Sequence, residues 1–99
     1  MSHVAVIASF TPMADSRHEV RSILEGMIDP TRAEDGCLQY DLYADETGFH
    51  LFERYEDRAA IEHHQGTDHY RAYRAAIADL LAAPIAVVVA EPVDAEPDD

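Results

Sequence analysis

The chain has 99 residues, 47% of them hydrophobic, with 20 acidic side chains against 7 basic ones and a net charge of −13. That length suits one domain with a thin core, burying roughly 60–65% of the surface its unfolded form exposes, and so negative a field repels nucleic acid and anionic membrane, so neither is expected as a partner. Cys37 is the sole cysteine, which leaves no internal disulfide and no cysteine-based metal cage.

A lone thiol fits a reducing, cytoplasmic home. The N-terminus shows no basic segment followed by an apolar run, so no signal peptide is expected. The apolar runs Val4 to Ala8 and Ile85 to Ala90 are far too short to span a bilayer. All the basic residues are arginine, and lysine, asparagine and tryptophan are absent. The acidic excess reads as a solvated surface.

His3 to Ser9, rich in valine and isoleucine, predicts a first strand. Ser16-Arg17-His18-Glu19 has the form of a capping box. Val20, Ile23, Leu24, Met27 and Ile28 follow at helical spacing. Pro30 is expected to kink or end that helix, or to sit in a last turn reaching about Ala33. Gly36 can then supply a left-handed C-terminal cap. Cys37 to Tyr43 alternates, with Leu38, Tyr40 and Leu42 on one face, and predicts a second strand. Asp45-Glu46-Thr47-Gly48 is a hairpin turn, and Phe49 to Tyr55 the return strand. Asp57 can cap a short helix over Ala59 to Gln65. Thr67 or Asp68 can cap a longer one, ended by Pro84, in which Tyr70, Tyr73, Ile77, Leu80 and Leu81 share a face. Ile85 to Glu91 predicts the last strand, so residues 1 to 91 form the domain and the acidic, proline-bearing residues 92 to 99 a disordered tail.

The order β-α-β-β-α-α-β, with right-handed crossovers, gives an α+β fold of the ferredoxin-like split β-α-β kind. Its antiparallel four-stranded sheet runs 4-1-3-2, with helices on one face. The first and last strands are apolar on both faces, which calls for cover on both sides. The helices supply one cover; a second copy of the chain, related by two-fold symmetry, is the simplest supply of the other, so a homodimer is expected.

Several residues carry candidate chemistry. Phe49, Leu51, Glu53 and Tyr55 share one side of their strand. A carboxylate in apolar surroundings is costly unless paired or protonated, so Glu53 is either a structural acceptor or an acid-base group with a raised pKa. His64 and His69 stand on two helices across a break, and each is either a structural imidazole or a general base. Tyr40, Tyr55, Tyr70 and Tyr73 can stack on an aromatic ligand or simply fill core. Arg71 and Arg74 share a helical face that can hold an anion or pair with the acidic excess. The histidines lack the i, i+4 spacing of a zinc-binding helix and no second ligand cluster is visible, so no metal is expected.

Three segments go further: the block Thr31-Arg32-Ala33-Glu34-Asp35-Gly36-Cys37-Leu38-Gln39-Tyr40, then Glu53-Arg54-Tyr55, then Ala60-Ile61-Glu62-His63-His64-Gln65-Gly66-Thr67-Asp68-His69. Their order and spacing resemble the antibiotic biosynthesis monooxygenase family, whose pattern is T-R-x-E-x-G-C-L-x-Y, E-x-W and A-L-x-x-H-x-x-T-x-H. The resemblance extends loosely over residues 3 to 90. It implies a dimeric α/β barrel in which the Glu53 side of the third strand lines a ligand cavity. It implies a catalytic set of His64, His69 and Glu53, with Tyr40, Tyr55, Tyr73, Leu51 and Arg74 about the substrate. The implied activity is a cofactor-independent monooxygenation of an aromatic quinol or polyketide-like phenol by O2. Tyr55 replaces the family's tryptophan, and the absence of asparagine and tryptophan argues against haem degradation. Two rival readings remain: an isomerase or tautomerase of a small keto-enol substrate, and a non-catalytic dimer that binds a small metabolite.

Overall fold

The computed structural model describes residues 3–95. Its elements run β1 (Val4–Phe10), α1 (Arg17–Glu25), α2 (Ile28–Arg32), β2 (Cys37–Ala44), β3 (Phe49–Tyr55), α3 (Arg58–Gln65), α4 (Asp68–Ile77), a 3-10 turn (Ala78–Leu80) and β4 (Ala86–Ala90). The strands pair antiparallel in the order β2-β3-β1-β4. This is the ferredoxin-like α+β sheet expected from the pattern of elements.

Strict alternation decides which face is buried. Val4, Val6, Ala8 and Phe10 of β1 and Phe49, Leu51, Glu53 and Tyr55 of β3 are all buried on the helix side. Val20 and Leu24 of α1, Met27 after it, and Tyr73 and Ile77 of α4 close over them. The opposite face keeps apolar groups in the open: Tyr43 is 58% exposed and Val88 54%, and Phe52 stacks edge-on against Tyr43 at 5.3 Å. No described element of the chain covers that face.

Local chemistry corrects several expectations. Ser16 stands at the N-cap of α1, but its hydroxyl makes no cap bond and lies 3.4 Å from Asp15 Oδ1. Its backbone (φ −111°, ψ 3°) belongs to a turn closed by Ser16 N–H to Met13 O at 2.9 Å, not to the extended conformation from which an N-cap hydroxyl reaches its target. Of the two expectations for Pro30, the turn reaching about Ala33 is the one that forms, as the short helix α2 with Ala33 at its C-cap. The chain breaks earlier, at Gly26-Met27, and Pro30 occupies the first turn of α2, where its missing N–H costs nothing. Leu38 does not share a face with Tyr40 in effect: a bulge between Cys37 and Gln39 leaves it 46% exposed. The α4 helix stops at Ile77, well before Pro84. There Met13 N–H bonds Leu80 O and Ala82 N–H bonds Thr11 O, drawing the chain onto the exit of β1.

Gly36 is not a left-handed cap, since no described glycine has a positive φ. Its constraint is closeness: a Cβ there would overlap the methyl carbon of Ala60 on α3. The other expected punctuation forms. Asp45 Oδ1 accepts from Thr47 N–H (2.9 Å) and Gly48 N–H (3.0 Å) in the hairpin. Asp57 caps α3 through Ala60 N–H at 2.9 Å, and Thr67 caps α4 through Tyr70 N–H at 3.2 Å. No helix of the described residues is long and apolar enough to cross a membrane. Of the expected tail, Pro92 to Ala95 carry neither helix nor strand, and residues 96–99 lie outside the described part.

Candidate active site

Between the sheet and the pair α3–α4 lies a small cavity of about 50 Å³. Its floor is Glu53, with Tyr40 of β2 and Val6 of β1 as its cross-strand neighbours. Its roof comes from His64, Tyr70 and Tyr73, and Arg74 stands at its edge. Val87 and Val89 of β4 complete the wall on the helix side, yet both are largely exposed, so the cavity opens toward β4. A shallower groove of about 520 Å³ between α4 and β4 shares Arg74 and Val87 with it.

Glu53 is buried and its Oε1 accepts from Tyr55 O–H at 2.6 Å. Loss of water pushes its pKa up to about 7, against the Tyr55 hydrogen bond, which lowers it, and with a smaller push from the charge of Glu34. The Tyr40, Tyr55 and Tyr73 hydroxyls are all raised above the usual phenol range, first by burial and then by neighbouring charge or phenol groups, so they stay protonated at neutral pH.

His64 projects from the last turn of α3 into a nest of rings, with centroids 5.0 Å from Tyr70 and 5.4 Å from Tyr55. Thr67 holds the end of that helix, its hydroxyl donating to His64 O at 2.7 Å while capping α4. His64 Nδ1 lies 2.8 Å from Glu34 Oε2. The same oxygen lies 2.6 Å from His69 Nε2. One oxygen placed to accept from both rings puts the ring protons on His64 Nδ1 and His69 Nε2. His64 Nε2 is then left as a bare acceptor on a ring that lines the cavity. Burial lowers the pKa of His64, opposed by Glu34, so the ring is neutral at neutral pH.

Glu34 reaches this position because of Gly36. The turn from α2 to β2 packs directly on Ala60 of α3, and Glu56 N–H bonds Gly36 O at 2.9 Å. Glu34 is a candidate residue whose place in the site the chemical types alone do not signal. Its signal lay in the T-R-x-E-x-G block, where a carboxylate precedes a glycine that permits close approach.

Of the expected site residues, Glu53, His64, Tyr40, Tyr55, Tyr73 and Arg74 line one cavity. His69 does not; it stands behind Glu34. Leu51 does not either, being sealed in the core one step along β3 from the floor. Arg74 donates to Tyr70 O–H at 2.7 Å, whereas Arg71 turns back onto Asp68 and the Gly66 carbonyl. The expectation of no metal rested on histidine spacing and on the lack of a second ligand cluster in the sequence. The fold adds a carboxylate to His64 and His69, giving three donor atoms all within 4.8 Å of one another.

The sequence model of the family described as antibiotic biosynthesis monooxygenase matches residues 3–76. The chain belongs to that family. It is 53% identical over 95 residues to Rv0793 of Mycobacterium tuberculosis, provisionally named a monooxygenase, covering 94% of each chain. The solved structure of Rv0793 superposes with a TM-score of 0.91 at 51% identity, over 95% of this chain and 98% of that one. YcnE of Bacillus subtilis, with the same provisional name, is 35% identical over 80 residues, 78% of this chain and 84% of its own.

A raised carboxylate leaves a mark on stability. Between pH 4.5 and about 7 the unfolded chain releases the Glu53 proton while the folded chain keeps it, so stability falls as pH rises through that window. Glu53→Gln removes this loss. Urea unfolding at pH 5 and pH 8 should show the variant gaining about 2–3 kcal/mol relative to the parent at the higher pH; a parallel pH response in both proteins would show that Glu53 titrates normally.

Proposed function

We propose that this family member is a monooxygenase whose reacting centre is the cavity between Glu53 and His64. The observation that carries the reading is the pairing of a bare, neutral imidazole nitrogen with a buried carboxylic acid across one small tyrosine-walled space. His64 Nε2 takes the proton of a phenol or enol. Glu34 is a positioning residue, holding the ring in the tautomer that leaves Nε2 free. The substrate anion then gives one electron to O2, and the superoxide formed recombines with the substrate radical as a peroxide anion, which takes back the proton held by His64 to become a hydroperoxide. The freed His64 removes the C–H proton as the O–O bond breaks, the hydroxide released takes the Glu53 proton and leaves as water, C–H2 becomes C=O, and the proton on His64 restores Glu53. One O2 enters and one water leaves, and the substrate is its own reductant.

The cavity takes only the reacting edge of such a substrate, since ring-sized ligands need several hundred Å³. The adjoining groove along α4 and β4 supplies the rest of the volume, with Arg74 at the junction facing an anionic or phenolic oxygen. A keto-enol isomerase is the second reading, favoured by the same acid and base facing each other with no oxygen needed. Homodimerisation belongs to the proposal as well, because the bare outer face with Tyr43, Phe52 and Val88 suits a second copy of the same sheet.

With a panel of quinols and phenols, product should form only in air, with one O2 consumed per turnover. His64→Ala should lower kcat by roughly 10²–10⁴-fold, and Glu34→Gln by about tenfold or more with KM little changed. Equal product without oxygen would transfer the site to the isomerase reading. Light scattering at micromolar concentration should give twice the 11.0 kDa chain mass; a single-chain mass would remove the dimer.

A further inference from the structure

We propose that Glu34, His64 and His69 form a binding site for one divalent transition-metal ion, for which Ni2+ and Co2+ serve as probes. Two imidazoles and a carboxylate are the donors such ions take. The three donor atoms converge from three separate elements, the α2–β2 turn, α3 and α4, within 4.8 Å of one another. A second observation points to a ligand. The Glu34 side chain is only 6% exposed, and its Oε1 is buried with no hydrogen-bond partner. A buried carboxylate oxygen left unsatisfied is costly, and a cation held by both oxygens would satisfy it.

Glu34 Oε2 stands 2.8 Å from His64 Nδ1 and 2.6 Å from His69 Nε2, and all three donor atoms lie within 4.8 Å of one another. An ion with bonds of about 2.0–2.1 Å replaces the two hydrogen bonds with coordination and draws the two imidazoles toward a common centre. His69, 26% exposed, gives the path by which the ion and its remaining water ligands reach the site. Coordination takes the ring nitrogens that now face Glu34, so the ring protons move to the opposite nitrogens. His64 Nε2 then presents N–H to the cavity instead of a lone pair. This last consequence alone rests on the proposed role of His64 as base; the site itself does not.

Isothermal calorimetry of the EDTA-treated protein with NiCl2 and CoCl2 at neutral pH tests it without reference to turnover. One ion per chain should bind with micromolar saturation. Glu34→Gln and His69→Ala should each weaken binding about tenfold or more, while His63→Ala, at the exposed neighbour, should leave it unchanged. Circular dichroism and thermal melts confirm that each variant is folded, and His69→Ala, at a partly exposed position, decides the matter if Glu34→Gln is not. No saturable binding, binding retained in both ligand variants, or binding lost in His63→Ala would overturn the proposal.

Discussion

A single carboxylate oxygen, Glu34 Oε2, bonded to two imidazoles, is the constraint on which the active end of this molecule depends. Its carbon skeleton reaches there from a turn outside the helices, and it does so because a glycine two residues later lets that turn lie flat against Ala60. The two helices that carry the histidines are then pinned relative to each other, since one oxygen cannot bond both rings unless α3 and α4 hold their angle. Thr67 reinforces the joint by ending one helix and starting the next with the same side chain.

The core that surrounds this arrangement is thin, and two carboxylates are placed in it under different terms. Glu34 faces two donors, and Glu53 faces one phenol and little water. Burial pushes the Glu53 carboxyl up to about 7, whereas Glu34 stands as acceptor to two imidazoles.

Much of the fold was legible in the sequence because alternation, helical spacing and turn residues act locally. The four strands, the Asp57 and Thr67 caps and the Asp45 turn all follow from neighbours within a few positions, and the strand order follows from the handedness of the crossovers between them. The failures share a different cause. Ser16 has the right letter for a cap but its backbone is committed to a turn with Met13. Gly36 signalled freedom of φ where the real need was for empty space beside another helix. Leu38 sits in a bulge that alternation cannot foresee. In the site, Glu53 and the tyrosines were visible from strand parity and motif. The separation of His64 from His69 and the place of Glu34 were not, because both depend on contacts between residues 30 and 35 positions apart; nor was the sealing of Leu51 into the core beside the cavity.

The tautomer of His64 tests the central claim most directly. Long-range 1H–15N NMR of the metal-free protein at neutral pH reads which ring nitrogen carries the proton. A proton on Nδ1, moving or becoming mixed in Glu34→Gln, is the expected result. A proton on Nε2, or a ring indifferent to Glu34→Gln, would mean that the carboxylate does not set the imidazole and that the cavity has no bare base.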